Sequence, residues 1–361
     1  MAPVHSRRVR APVVLDASLT APPPGLTSSW RARVALCATM CDVLHLRITV
    51  PPDLAGPVTD YLEGDPRVSG LVVLPGAARR PAGDALLCDV AREGASDVLR
   101  HLEGLGVNDH GTLALETGDG APTRRARLAE RAAPGAPDDG VVWPMVIEQA
   151  WDGVRPTWSF YTFLVLATLL AAIAVVLDSS VLVIGAMVLG PEFAPVAAVA
   201  LAAVLRDGRL LLAAVRQLAL GFAVAVLVTV VVALVGRAAG WVTLDDVLAP
   251  RPQTDFVWNP DRWSFVVALL AGAAGVLSLT SGRSNVLVGV FISVTTVPAL
   301  GNLALGLAFA DPPEIEGSLA QLGLNVAGLV VAGTLTLLVQ RVVWRGVRRF
   351  RRRRRQPCPQ P

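Results

Sequence analysis

Apolar residues fall into two regimes along this chain. From about residue 158 to 339 they form long runs with few charges, whereas residues 1–157 mix Pro, Gly, Arg and acids in soluble proportions. A hydrocarbon layer about 30 Å thick requires roughly 20 apolar residues of helix. Six stretches meet that requirement: residues 158–177, 181–205, 210–235, 264–281, 286–309 and 318–339. Backbone polar groups in lipid must be satisfied internally, so runs this apolar predict helices, and the second part of the chain predicts an α-helical polytopic membrane domain of six transmembrane spans over residues 158–340.

Ahead of the spans the period changes. Residues 44–51 (LHLRITVP) read as a strand, 52–63 as a helix, 67–74 (RVSGLVVL) and 85–90 as strands, 94–104 as a helix capped by Ser96, and 111–116 as a last strand. The order βαββαβ predicts a small α+β ferredoxin-like domain over residues 40–118, a fold that implies no activity by itself. Residues 1–39, with Pro22, Pro23 and Pro24 and no sustained periodicity, predict a disordered leader. Residues 119–157 predict a linker, and 341–361 an Arg-rich tail.

Composition agrees, at 53% hydrophobic, 17% charged and a mean hydropathy of +0.54. The net charge of +3 does not point to nucleic acid, and no nucleic-acid partner is expected. All 32 basic residues are Arg, nine of them between 341 and 355. Cys37, Cys41, Cys88 and Cys358 are too scattered for a disulfide framework and read as reduced thiols. Cys37, Cys41 and His45 would align only on a helix, which the strand at 44 precludes, so neither a metal nor a cofactor is predicted. No basic start with an apolar core and cleavage site opens the chain, so a signal peptide is not expected.

Arginine placement sets the expected orientation, because basic residues near span ends stay cytoplasmic. The tail is then cytoplasmic, and six spans bring the N-terminal domain to the same side of a bacterial plasma (inner) membrane. Arg206, Arg209 and Arg283 fall on that inner side, whereas Asp178, Asp311, Glu314 and Glu316 fall outside. Trp158, Trp241, Trp263 and Trp344 stand at span ends, where indole rings favour the interface. The lipid bilayer is thus the main partner, with anionic lipids at the Arg-rich tail and a homo-oligomer as a further candidate.

A shift of 104 residues superposes the first three spans on the last three, with Gly185 on Gly289, Ser180 on Ser284 and Gln217 on Gln321. An odd number of spans per unit predicts an inverted three-span repeat of the kind found in secondary transporters. Two stretches, SSVLVIGAMVLGPEFAPVAAVALA (179–202) and AGAAGVLSLTSGRSNVLVGVFISVTTVPALGNLALGLA (271–308), also resemble the signatures of the uncharacterised hydrophobic domain family, domain of unknown function 389. The resemblance covers roughly residues 44–339, since that family often carries a small α/β domain ahead of its membrane part. This chain departs from it at residues 190–195, where relatives resemble Ser-Pro-Leu-Met-Gly-Pro, and at Val297 and Pro298, where relatives often have two prolines. The family implies an integral membrane protein and supplies no substrate.

Proline inside a helix removes a hydrogen bond and clashes with the preceding turn, so Pro191, Pro195 and Pro298 predict breaks in the second and fifth spans. Breaks at corresponding places in two halves expose backbone groups that can hold an ion or polar solute, although prolines and glycines also serve tight helix packing. Glu192 is the one acid deep inside a span, where a charge costs at least about 2.5 kcal/mol. It therefore predicts a cavity, a partner, or a cap on a broken helix. Arg216 either snorkels to the headgroups or pairs with Glu192, from which straight helices would separate it by about 10 Å in depth. Gly190, Thr295, Thr296 and Asn302 complete the candidate ion- or solute-binding set. No His pair, Ser-Lys arrangement, HExxH or phosphate-cradling glycine motif accompanies Glu192, so an enzyme is not expected. The expected function is a membrane transporter or channel-like protein for a small ion or polar solute. The alternative is a non-transporting sensor or scaffold with a ligand-binding cytoplasmic domain.

Overall fold

A computed structural model describes residues 43–117, 123–133, 140–281 and 295–354. The expected leader, and part of the expected fifth span, lie outside these residues.

Strand β1 (Val43–Val50) leads through helix α1 (Pro52–Gly64) to β2 (Val68–Arg79) and β3 (Ala82–Ala91). Helix α2 (Arg92–Gly104) and the short α3 (Val107–His110) then deliver β4 (Thr112–Thr117). The strands form one antiparallel sheet in the order β2-β3-β1-β4, with Leu46 opposite Cys88 on one side and Leu115 on the other. Period-two alternation places Leu44, Leu46, Ile48 and Val50 of β1 in the core, where they meet Val58 and Leu62 of α1 and Val98 and Leu102 of α2.

Two helices occupy the interval read as a linker: α4 (Arg124–Ala132), capped by Thr123, and α5 (Trp143–Gly153). The α5 face bearing Val146 and Ala150 packs on Ala198 and Leu201 of the apolar part.

That part contains α6 (Trp158–Val176), α7 (Ser180–Leu189), α8 (Phe193–Leu205), α9 (Gly208–Ala238), the short α10 (Leu244–Leu248), α11 (Arg262–Ser281), α12 (Thr296–Phe309) and α13 (Pro312–Arg354). Among the described residues, α6, α9, α11 and the first 33 residues of α13 are each long and apolar enough to cross a membrane. The α7–α8 pair reaches that length only together, and it bends by 57° at its break. Helix α12 has 14 residues, and the sequence before it, 282–294, lies outside the described residues.

Small residues let these helices approach closely. A Cβ on Gly272 of α11 would lie 2.7 Å from the Leu329 carbonyl oxygen of α13, and one on Gly328 would lie 2.7 Å from Ala268 Cβ, so backbone contact replaces side-chain packing there.

The helix ends gather in two groups. At one end Arg341 Nη1 of α13 donates to Val204 O of α8 at 3.0 Å, and Gln340 Nε2 donates to Thr280 Oγ1 of α11 at 2.9 Å. The sheet unit docks at this end: Arg92 Nη2 donates to Thr280 O at 3.1 Å, and Ser96 Oγ donates to Val141 O at 2.9 Å. At the other end Val175 of α6, Ala233 of α9 and Phe309 of α12 share one cluster with Val247 and Val257.

Candidate functional site

The α7–α8 break is built from Gly190, Pro191 and Glu192. Gly190 ends α7 in an extended conformation (φ −70°, ψ 122°), Pro191 has no N–H to continue the ladder, and Glu192 stands at the N-cap of α8. Pro195 does not break a helix. It is the third residue of α8, where its missing N–H would have had no intrahelical acceptor. Pro298 occupies the same third place in α12, so both prolines start half-helices.

At 1.5 Å per residue, α8 and α12 are each about 20 Å long, and their last turns lie at opposite ends of the bundle. Their first turns meet. A Cβ on Gly190 would lie 2.3 Å from Glu192 Oε2 and 2.6 Å from Val297 Cγ2, so the carboxyl oxygen and the Val297 methyl are no farther apart than those two lengths together. Glu192 curls over the Gly190 backbone, where only glycine leaves room, and reaches the first turn of α12. It is 7% exposed, and its Oε2 has no hydrogen-bond partner among the described residues. Each half-helix presents its positive end to this carboxyl group.

The polar residues of α12 separate into two groups. Thr295 Oγ1 accepts from Gln321 Nε2 at 2.8 Å and from Asn325 Nδ2 at 2.7 Å, which ties the start of α12 to α13. Thr296 is fully buried with its Oγ1 unpartnered, close to Glu192 through its neighbour Val297. Asn302 lies farther along and does not join them. Its Oδ1 accepts from Arg251 Nη1 at 3.1 Å, and its Nδ2 donates to Ser318 Oγ at 2.9 Å. Arg251 also pairs with Glu314, both side chains being 6% exposed. Arg216 is exposed on α9, and among the described residues no ion pair joins it to Glu192. The depth difference expected for straight helices is therefore not closed.

Sequence reasoning missed Arg251, whose place in the connection of 23 residues between α9 and α11 (239–261) gives no sign that it turns inward. It also weighed Gln217 and Gln321 only as a matching pair. Gln217 accepts from the Tyr161 hydroxyl at 3.2 Å, and each glutamine keeps one amide atom buried and unpartnered.

A mostly helical, apolar bundle with a small antiparallel sheet unit defines a chain compatible with a multi-pass membrane protein. Within it, residues 187–331 match the family described as Domain of unknown function (DUF389), as the two signature stretches led us to expect. The match includes the break, α8, α9, α11, α12 and the first part of α13. A protein of Methanocaldococcus jannaschii, named only as uncharacterized, is 30% identical over 153 residues, which are 41% of this chain and 44% of that relative. The chain thus spans less than half the length of the curated relative it matches. No solved structure matches.

Proposed function

We propose that this chain is a multi-pass membrane transporter or channel-like protein for a small ion or polar solute, with its central site where the α7–α8 break meets the first turn of α12. The observation that carries this reading is the buried Glu192 carboxyl oxygen, unpartnered and within reach of Val297. A carboxyl group kept dry without a partner is costly in a bilayer and marks solute pathways.

An inverted repeat is supported by spacing in space as well as in sequence. Arg237 Nη1 at the end of α9 donates to Ala308 O of α12 at 3.2 Å, and Arg341 Nη1 on α13 donates to Val204 O of α8 at 3.0 Å. Donors and acceptors are both 104 residues apart (237 to 341, 204 to 308). Each third helix thus places a guanidinium on the negative end of the other triplet's half-helix. Residues 206 and 310, also 104 apart, both end their half-helices in the left-handed region, and α9 and α13 begin at 208 and 312. Six spans belong to this reading, the expected fifth (286–309) lying partly outside the described residues. The sheet order β2-β3-β1-β4 supports a ferredoxin-like module, placed with the Arg-rich tail on the cytoplasmic side of a bacterial inner membrane and bound to the bundle through Arg92 and Ser96.

Purified full-length protein in liposomes tests the class, with a panel of inorganic ions and small polar solutes. Uptake that falls to background in Glu192→Gln supports the reading, and no uptake of any solute tested overturns it. One observation favours a sensor instead. A cleft of about 370 Å³ between β2 and α4, lined by Leu62, Val68, Leu71, Arg125 and Leu128, could hold a metabolite without solute movement. Ligand-dependent stabilisation of a chain that moves no solute would favour that alternative.

A further inference from the structure

We propose that the meeting point of the two half-helices binds one small monovalent cation, coordinated by Glu192, Thr296, Gln217 and Gln321. The inference names the cargo class of the site described above and rests on reading it as a translocation site.

Four buried polar atoms lack partners there among the described residues: Glu192 Oε2, Thr296 Oγ1, Gln217 Nε2 and Gln321 Oε1. Their residues are 7%, 0%, 3% and 1% exposed. In a folded interior such atoms are few, and each requires an explanation. These four form two matched pairs. Glu192 and Thr296 stand at the starts of α8 and α12, and Gln217 and Gln321 are 104 residues apart (217 to 321) on α9 and α13. Unpartnered atoms at matched positions of both triplets point to a shared ligand. The residues are neighbours through short links: Glu192 reaches Val297, Gln321 bonds Thr295, and Gln217 bonds Tyr161, which packs against the cluster of Val297.

The donor set decides the chemistry. The Tyr161 hydroxyl can donate to or accept from Gln217, so that amide can turn its oxygen inward without losing its bond. A carboxylate, a hydroxyl and two amide oxygens form an all-oxygen set, which suits a hard cation. Its formal charge with Glu192 deprotonated is −1, since Glu192 is the only acid in the set. No group of three or more His, Cys, Asp or Glu side chains among the described residues could hold a metal ion, so the set lacks the charge that a divalent or transition-metal ion requires.

Among the described residues no side-chain cation offers the counter-charge, the buried Arg251 being engaged by Glu314 and Asn302. Helices α7, α8 and α12 carry no basic residue, α6 carries only Tyr161 as a titratable group, and α11 has Arg262 at its start. On α9, Arg216 is exposed, while Arg209 and Arg237 stand at the two helix ends. On α13, Glu314 and Arg341 stand at opposite ends of the apolar stretch, and Asp152 of α5 is exposed and paired with Arg155 at 3.1 Å. A single monovalent ion neutralises what remains.

Equilibrium binding of radiolabelled sodium and rubidium to the detergent-solubilised full chain, with gluconate as the counter-ion, tests the inference. Saturable binding of one ion per chain is expected, lost in Glu192→Gln and weakened roughly tenfold in Thr296→Val and Gln321→Leu. Each variant is first required to elute and melt as the wild type does. Absence of saturable cation binding, binding unchanged by Glu192→Gln, or saturable binding of radiolabelled chloride overturns the proposal. Liposome uptake separates it from the transport reading. Bound cation without movement sinks transport and leaves the site standing, whereas movement of neutral solutes or anions by a chain that binds no cation does the reverse.

Discussion

Helix α12 lies against α6 backbone to backbone, since a Cβ on Gly301 would come within 2.7 Å of the Ala172 amide nitrogen. The corresponding crossing, α8 against α11, has the Phe193 ring between its helices, where a Cβ on Gly275 would meet Phe193 Cζ at 2.2 Å. A second difference follows the same division. Helix α12 is clamped to α13 and to the long loop by the buried Arg251–Glu314 pair and its bond to Asn302, and α8 has no buried ion pair of that kind among the described residues. The two short helices therefore stand in unlike surroundings, one locked to backbone and an ion pair and one separated from its neighbour by a phenyl ring. Under the transport reading, this asymmetry seals the loop side of the site more firmly than the side where Arg341 caps α8.

The largest effect is expected at the clamp. Arg251→Ala leaves Glu314 buried without its counter-charge and should cost about 3–5 kcal/mol, read as a lowered melting temperature in detergent. Arg251→Met combined with Glu314→Leu should recover most of that loss, because the desolvation of both charges disappears with them. Wild-type melting of the single variant would show that the pair holds nothing. Next come the two crossings. Gly301→Ala pushes against backbone and should cost about 1–3 kcal/mol, whereas Gly275→Ala meets the far end of a phenyl ring and should cost less. Equal losses would erase the distinction between locked and wedged. Smaller again are the reciprocal caps. Arg341→Gln and Arg237→Gln should each cost about 0.3–2 kcal/mol. Arg237 should be the more sensitive, because its guanidinium also lies 5.2 Å from the Phe309 ring centroid. An effect confined to one of the two would break the proposed inverted repeat.

Period and breakers carried much of this architecture into view. Alternation at Leu44, Leu46 and Ile48 predicted β1, and Gly190 with Pro191 located the bend. Pro195 and Pro298 were harder, because proline disrupts a helix interior but fits a first turn, and the sequence alone does not say where the helix begins. Glu192 was legible because a lone acid in an apolar run is expensive, whereas Gln217, Gln321 and Thr296 look like ordinary interhelical polar residues until their partners are counted. Arg251 was illegible for another reason: nothing local distinguishes a loop arginine that faces water from one that crosses 51 positions to reach Asn302. The caps from Arg237 and Arg341 could have been found by sliding the basic residues, as well as the apolar ones, by 104.

The smallest effect is expected at Arg216, and it sharpens the comparison by what it leaves alone. The residue lies on the same α9 that carries Gln217, one position away, yet the two side chains face different ways: Gln217 is buried and bonded to Tyr161, and Arg216 is exposed. Adjacent helix positions differ by about 100°, so an inward Gln217 directs its neighbour toward the bundle surface. If the snorkelling explanation holds, Arg216→Gln should leave Glu192-dependent uptake and cation binding within about twofold of wild type, as for other exposed substitutions. A loss as deep as that of Glu192→Gln would mean that the arginine swings inward during the cycle and supplies the counter-charge itself. The crossing at Phe193, where α8 meets α11, would then be the place to examine.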